Sequence, residues 1–249
     1  MDTKTVIQPY IMFVNWSVSS NGMDRRFLVI LTALILIFVG IFVFSKNSND
    51  SGNNQTGSSQ VQPTNHVKGG NAKNVTLVEW GDYECAVCEL YEPIVNQVFE
   101  ANSANMQLQF RNLPLISVHK NAFAATRAAE AADLQNKFWE MHDLLYESSN
   151  WSAWTNSNNA RSLFDGYAQS LGLDLTKFRA DYESSKVNDL INADSAEFKK
   201  TGQQMATPTF FLNGQYIELS KLTDETNRPT VAKFQALLDA EFAKNNAPQ

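Results

Sequence analysis

The chain has little cysteine, histidine or excess basic charge for its length. Its 249 residues include two Cys and three His, and 20 Lys and Arg residues are outnumbered by 26 Asp and Glu residues. A zinc finger needs about four Cys or His ligands at set spacing, and a disulfide-rich scaffold needs several cysteine pairs, so neither class is expected. The formal net charge of −6 provides no basic face to neutralise phosphates, and nucleic acid is therefore not an expected partner.

One long hydrophobic run lies near the N-terminus. It extends from Phe27 to Phe44 and contains no charged residue. As a helix rising about 1.5 Å per residue it would cover roughly 27 Å of hydrocarbon, whereas the apolar part of a cleavable signal peptide is usually about 7 to 15 residues. No small-residue cleavage site follows the run. We therefore predict an uncleaved transmembrane signal anchor at residues 27–44, with a long cleaved signal peptide as the alternative.

The charges around this run predict its orientation. Arg25 and Arg26 precede it and Lys46 alone follows it, and positive residues prefer the cytoplasmic side. Residues 1–26 are expected to form a short cytoplasmic tail, with Met23 as an alternative start. The remainder is expected outside the cytoplasm, on a single-pass protein of the cell membrane. Residues 45–72 are rich in Asn, Ser, Gln and Gly and are predicted to be a flexible polar linker.

Residues 73–249 have the pattern of one folded α/β domain. The β-branched and aromatic segment Val75–Trp80 predicts a buried strand, apolar residues from Val87 to Val98 recur at helical spacing, and apolar residues alternate from Met106 to Phe110. A helical block is predicted at about residues 117–203. Asn213-Gly214 then predicts a hairpin, and a closing helix follows. The predicted order is strand, helix, strand, helical block, hairpin, helix.

The two cysteines, in Cys85-Ala86-Val87-Cys88, lie between the first predicted strand and helix. Unpaired N–H groups and the positive dipole of a helix N-terminus stabilise a thiolate, so the pKa of Cys85 is expected below the usual ~8.5. Cys85 is then the nucleophile and Cys88, one turn later, the resolving thiol. An inert structural disulfide, or two buried thiols, is the alternative, although a disulfide would close only a two-residue loop.

The cysteine pair could also be half of a metal site, which would need further ligands. The three histidines do not have the spacing of zinc ligands: His66, His119 and His142. Each is expected to cap or pack. The sequence therefore predicts neither a metal nor a cofactor.

Two further features accompany the cysteine pair. Pro208 stands directly before a predicted strand, where a cis Thr207–Pro208 bond would present the Thr207 backbone to an extended chain; an ordinary trans proline is the alternative. Glu79 is an acid in an otherwise apolar strand and, if it lies beneath the cysteines, could relay protons during thiol exchange. The alternative is an outward-facing residue on an edge strand. The acids Asp82 and Glu84 should raise the pKa of Cys85 and oppose the helix dipole.

These motifs resemble the DsbA-like thiol:disulfide oxidoreductases, which have a thioredoxin fold. Segments in the family's order cover residues 66 to about 245, namely His66–Gly69, Val75–Cys88, Leu113–Leu115, His119–Ala122, Lys137–His142 and Thr207–Gly214. The resemblance implies a thioredoxin-like α/β fold with an inserted helical domain, and Pro208 as a cis-proline facing the cysteines. It also implies that Cys85 attacks, Cys88 resolves, Glu79 is the buried acid and Thr207 helps to dock substrate.

The dipeptide between the cysteines departs from the family pattern. Ala86 and Val87 offer no side-chain hydrogen bond or charge to a thiolate, which leaves the direction of the redox reaction open. An extracytoplasmic position favours disulfide formation. We therefore predict a membrane-anchored thiol:disulfide oxidoreductase that introduces disulfides into exported proteins, with a membrane quinone-linked reoxidase implied by the resemblance. A reductase or isomerase of the same fold, or a tethered peptide-binding module with a structural Cys pair, is the alternative.

Overall fold

The computed structural model describes residues 61–245. The predicted tail, the predicted anchor at residues 27–44 and the linker as far as residue 60 lie outside these residues, and their assignments stay predictions. In the described part of the chain, no helix has both the length and the apolar character needed to cross a membrane.

A five-stranded sheet forms the centre of the domain. Its strands are β1 (His66–Lys68), β2 (Val75–Gly81), β3 (Met106–Asn112), β4 (Thr209–Leu212) and β5 (Gln215–Ile217). Their spatial order is β1-β3-β2-β4-β5, so β2 is the central strand. β2 and β3 are parallel and the other neighbours are antiparallel. Parallel neighbours need a long crossover, and the helix after β2 provides it.

The helices confirm the predicted order of elements. Within residues 61–245 they are α1 (Ala86–Asn102), α2 (Ala122–Asp133), α3 (Phe138–Tyr146), α4 (Ser148–Thr155), α5 (Ala160–Ser170), α6 (Leu175–Tyr182), α7 (Ser185–Lys200) and α8 (Val231–Asn245), with a 3₁₀ turn at Leu219–Lys221. The predicted helical block is thus α2 to α7.

Both faces of the sheet are covered by helices. Val75 and Leu77 of β2 pack with apolar residues of α1 and α8 on one face. Trp80 points to the other face, where it contacts Phe198 of α7. Successive side chains of a strand alternate between faces, so Glu79 shares the α1 face with Val75 and Leu77.

The helical block has its own core, which continues to the cysteines. α2 is rich in alanine, and its buried small side chains allow α3, α5, α6 and α7 to contact it closely. Cys85, Cys88 and Tyr83 belong to the same apolar cluster. The block therefore packs against the start of α1.

The N-terminal boundary of the domain was predicted wrongly. β1 lies inside the predicted linker 45–72 and pairs with β3, with His66 opposite Phe110. His66 Nε2 donates to the Glu130 carboxylate at 2.7 Å, and the His66 ring stacks on Phe138 with ring centroids 3.4 Å apart. Thr64 bonds through its backbone N–H and hydroxyl to Asp194. Polar contacts to buried carboxylates hold this segment on the domain. Its polar composition is therefore that of a linker, and the strand could not be recognised from it.

Candidate functional site: a dithiol at the start of α1

Cys85 occupies the position just before the first residue of α1. Its backbone is extended, with φ −74° and ψ 118°, and its carbonyl accepts the first helical hydrogen bond, from the Glu89 N–H at 3.1 Å. Its own N–H donates to the Asp82 carbonyl at 3.0 Å. The Cys85 side chain is 7% exposed and that of Cys88, inside the first turn, is fully buried. Both are free thiols.

The environment shifts the pKa values of the two thiols in opposite directions. The pKa of Cys85 is lowered to about 5, first by a hydrogen bond from the Cys88 thiol and, against the effect of burial, also by the Thr207 side chain and the backbone N–H groups of Cys88 and Val87. Burial, together with the interaction with Cys85, raises the pKa of Cys88 well above its usual value. Cys85 is thus the thiolate at neutral pH and Cys88 its proton-bearing partner.

The Thr207–Pro208 segment lies against Cys85. The peptide bond is cis, which agrees with the hypothesis drawn from the sequence. Cys85 Sγ lies 3.4 Å from the Thr207 carbonyl oxygen, to which the thiol can donate in its protonated form, although the two residues are 122 positions apart. Pairing of β4 with the central strand β2 places Thr209 opposite Trp80, near the end of β2. The turn that precedes β4 therefore lies close to the start of α1.

Glu79 lies in the interior of the sheet, below α1. It faces Phe110 on one neighbouring strand and Phe210 on the other, and its side chain is 2% exposed. The alternative of an outward-facing edge residue is therefore wrong. Burial, and then the charges of Glu92 and Cys85, raises the pKa of Glu79 well above its usual value. Its Oε1 has no hydrogen-bond partner among residues 61–245.

Sequence reasoning missed the partners of the acids beside Cys85. The buried carboxylate of Asp82 accepts hydrogen bonds at 2.7 Å from the Leu115 N–H and pairs at the same distance with His119 Nδ1. Glu84 accepts a hydrogen bond from the Asn121 N–H. No local pattern signals these contacts, because donors and acceptors are more than thirty residues apart.

One side-chain group in the described part of the chain has the composition of a metal site. Ligand atoms of Glu92, His142 and Asp143 lie within 4.8 Å of one another. Glu92 also accepts a hydrogen bond from Asn96, and His142 Nδ1 is 3.1 Å from the Tyr83 hydroxyl. His142 Nε2 also pairs with the Glu92 carboxylate at 3.4 Å, so these contacts connect α1, α3 and the loop before Cys85 and give the buried Glu92 and His142 protein partners. We assign no metal to them.

The family model described as thioredoxin matches residues 61–240, which is most of the chain. The chain belongs to the thioredoxin family. Among solved structures it is similar to a thioredoxin-like oxidoreductase from Silicibacter pomeroyi, with 25% identity and a TM-score of 0.57 over 75% of this chain and 95% of that one.

Two further solved structures share the fold. Wolbachia pipientis alpha-DsbA1 has 19% identity and a TM-score of 0.58 over 75% of this chain and 95% of its own. Oxidised BdbD from Bacillus subtilis has 20% identity and a TM-score of 0.57 over 74% and 97%. These two structures confirm the predicted DsbA-like thioredoxin fold. The family match and the likeness to the thioredoxin-like oxidoreductase support the predicted enzyme class, a thiol:disulfide oxidoreductase.

Curated relatives carry a different name. The chain is 38% identical over 150 residues to Na(+)/H(+) antiporter NhaA 1 of Salinispora arenicola, covering 60% of this chain and 22% of that protein. It is 32% identical over 202 residues to the protein of the same name from Mycolicibacterium vanbaalenii, covering 78% and 31%. The chain spans less than a third of the length of these two relatives, so ion transport by the whole proteins does not carry over to it.

Proposed function

We propose that this chain is a membrane-anchored, extracytoplasmic thiol:disulfide oxidoreductase that introduces disulfide bonds into exported proteins. The observation that carries the proposal is the pairing of a stabilised Cys85 thiolate with a buried, protonated Cys88, against the cis-proline turn. A pair whose reduced form is stabilised is a strong oxidant. The acidity of Cys85 therefore favours disulfide donation over reduction, despite the plain Ala86-Val87 dipeptide.

The reaction is an exchange of disulfides. A substrate thiolate attacks Cys85 Sγ of the oxidised pair, the Cys85–Cys88 bond breaks, and Cys88 leaves with the bonding electrons. Because its pKa is high, Cys88 takes up a proton, and the proposed donor is the buried Glu79, whose charge acts on Cys88. A second substrate thiolate then attacks the first substrate sulfur, and Cys85 leaves as a thiolate. The substrate dithiol loses two electrons and two protons; the enzyme pair takes up both electrons and, at Cys88, one proton, and the other proton goes to solvent.

The surface around Cys85 suits an unfolded polypeptide. Three apolar side chains are exposed near the pair: Val87 and Leu90 on the first turns of α1, and Met205 just before the Thr207–Pro208 turn. Extended apolar segments of a protein that has not yet folded would cover them. Exported proteins whose cysteines are still reduced have not yet folded and expose such extended apolar segments.

The location and reoxidation of the enzyme are parts of the same proposal. The apolar run at residues 27–44, with Arg25 and Arg26 before it, supports a single-pass anchor with the domain outside the cytoplasm. Repeated turnover would then need an acceptor for two electrons per disulfide. We propose a membrane quinone-linked reoxidase for this step.

Trapping tests the exchange mechanism. In cells that express the full-length chain, Cys88→Ala should accumulate reductant-sensitive mixed disulfides between Cys85 and exported proteins, because no resolving thiol can release them. The Cys85→Ser/Cys88→Ala double variant is the matched control and should trap nothing. Absence of adducts from the single variant would contradict the proposal, and full activity of Cys85→Ser would favour the binding-module alternative.

Redox equilibration separates the oxidase from the reductase. The full-length chain is equilibrated across glutathione buffers, and the reduced fraction of the pair is measured. A potential near the ~−120 mV of strong oxidants would support disulfide donation, whereas a value near the ~−270 mV of thioredoxin would favour reduction.

A further inference from the structure

Two acids immediately before Cys85 pose an electrostatic problem. Asp82 is fully buried three positions before Cys85, and Glu84 is its direct neighbour. Negative charges this close should disfavour a thiolate. The pKa of Cys85 is nevertheless lowered to about 5, and Ala86 and Val87 have no charged side chains that could compensate.

The loop at residues 113–121 supplies partners for both acids. We call this segment the acid-pairing loop. It starts where β3 ends, with the Leu113 N–H donating to the Gly81 carbonyl at 2.8 Å, so the sheet itself places it beside residues 82–84. Leu115 and His119 bind the Asp82 carboxylate, and the Asn121 N–H binds Glu84.

His119 is the only histidine in the acid-pairing loop, and its side chain is 25% exposed. Partial burial alone would lower its pKa. The hydrogen bond to Asp82 and the charges of Asp82, Cys85 and Glu84 outweigh burial and raise it. Among residues 61–245, these three are the charged or titratable groups that act on the ring, and the adjacent Lys120 is exposed. These interactions favour the protonated form of His119, and the ring pairs with Asp82, whose backbone carbonyl accepts from the Cys85 N–H.

We propose that His119 is a positioning residue for the redox pair: its imidazolium, bound to Asp82, cancels the buried negative charge and stabilises the Cys85 thiolate. This inference rests on the proposed oxidoreductase function and deepens it. Reduction of the pair by substrate thiols adds two electrons and one proton, giving the Cys85 thiolate and the Cys88 thiol. A cation whose charge acts on the thiolate favours that reduced form and makes the oxidised pair a stronger disulfide donor.

The contribution of His119 depends on pH in a defined direction. The ring is charged below its pKa and neutral above it, so the stabilisation is present at lower pH and is lost as pH rises through that pKa. The thiolate raises the affinity of the ring for its proton in return, since the two effects are linked. His119 should therefore have a higher pKa in the reduced enzyme than in the oxidised enzyme.

The test compares the full-length wild-type chain, kept in detergent because of its apolar run, with three variants. His119→Gln retains a donor for Asp82 but has no charge, His119→Lys restores the charge, and Lys120→Gln removes a neighbouring exposed charge as the matched control. The Cys85 pKa is measured from thiolate absorbance in the reduced protein, and the equilibrium constant is measured against glutathione at pH 6 to 9.

His119→Gln should raise the Cys85 pKa by about one unit and lower the oxidising equilibrium constant about tenfold. His119→Lys should restore most of the wild-type Cys85 pKa and equilibrium constant, and Lys120→Gln should leave the equilibrium constant within twofold of wild type. The equilibrium constants of wild type and His119→Gln should converge at high pH. Equal values for wild type and His119→Gln would overturn the inference, as would an equal effect of Lys120→Gln.

A second measurement needs no substitution at His119. NMR titration of its ring in the reduced and oxidised wild-type protein should give a higher pKa in the reduced form, and identical values would overturn the inference. Failure of the wild-type pair to exchange with glutathione would instead refute the proposed function, while the absorbance and NMR titrations would still report on His119.

Discussion

The two thiols differ in acidity although only two residues separate them. Cys85 lies before the first helical residue, whereas Cys88 lies within the first turn and is covered by the helical block. The largest cause of the low Cys85 pKa is the hydrogen bond from the Cys88 thiol, ahead of the helix N–H groups. The resolving cysteine therefore also activates the attacking one.

This dependence predicts the effect of two substitutions at Cys88. Cys88→Ala removes the donor and should raise the Cys85 pKa above about 5. Cys88→Ser keeps an O–H donor and should keep the pKa nearer the wild-type value. Absorbance of the thiolate as a function of pH measures both. Equal pKa values in the two variants would show that the helix N–H groups, and not the Cys88 donor, control Cys85.

Glu79 should make the stability of the domain depend on pH. Its pKa is raised by burial, so the folded state retains a proton that the unfolded state releases above about 4.5. The free energy of unfolding should then fall as pH rises above that value, by about 1.4 kcal/mol per pH unit, until the folded pKa is reached.

Glu79→Gln removes this titration and should be increasingly more stable than wild type as pH rises, with the smallest difference near pH 4. Urea unfolding at several pH values measures it, and the exposed Glu100→Gln on α1 is the matched control. Parallel profiles for wild type and Glu79→Gln would mean that the carboxyl is ionised in the folded protein.

Among the helices and strands, α7 connects three parts of the chain through one carboxylate. Asp194 is fully buried and accepts from the Thr64 N–H and hydroxyl and from the Asn112 N–H and side-chain amide. Arg111 Nη1 forms an ion pair with Asp194 Oδ1, the oxygen that also accepts from the Thr64 N–H, at 3.4 Å. The contacts attach the N-terminal segment and the end of β3 to the helical block.

Asp194→Ala should therefore destabilise the domain by about 3 to 5 kcal/mol, because buried donors and a partly buried guanidinium lose their acceptor. Asp189→Ala, at an exposed position of the same helix, should change the free energy of unfolding by less than about 0.5 kcal/mol. Urea denaturation of both variants measures the difference. A small effect of Asp194→Ala would show that water or other side chains replace the carboxylate.

For the molecule as a whole, formation of the Cys85–Cys88 disulfide should lower the stability of the folded domain, whereas an ordinary disulfide raises it. Oxidation closes only a two-residue loop, which restricts the unfolded chain little, and it abolishes the stabilised Cys85 thiolate. The folded pKa of about 5 lies below the ordinary cysteine value of 9.0, so the thiolate contribution grows as pH rises from 5 toward 9 and is lost below 5.

The reduced protein should consequently have a higher Tm than the oxidised protein at pH 8, and the difference should shrink near pH 4. Thermal unfolding with and without reductant measures it, with Cys85→Ser as a control that reductant should not affect. A higher Tm for the oxidised protein at pH 8 would indicate that the thiolate is not stabilised by the fold.

Local sequence patterns predicted the elements that depend on neighbouring residues. The hairpin at Asn213-Gly214 is an example: both residues have positive φ, 48° and 79°, and join β4 to β5. The helix that directly follows Cys85 and the alanine-rich helical block also follow from residue spacing. These features are encoded within a few positions of the chain, so periodicity and turn chemistry were sufficient to predict them.

Contacts between distant segments could not be predicted in this way. β1, the approach of Thr207 to Cys85 and the pairing of His119 with Asp82 join residues between 37 and 122 positions apart. They depend on the strand order β1-β3-β2-β4-β5, which places the end of β3 and the start of β4 on either side of the central strand. Composition and spacing identified the thiols, but the electrostatic surroundings of Cys85 arise from side chains that only this strand order brings together.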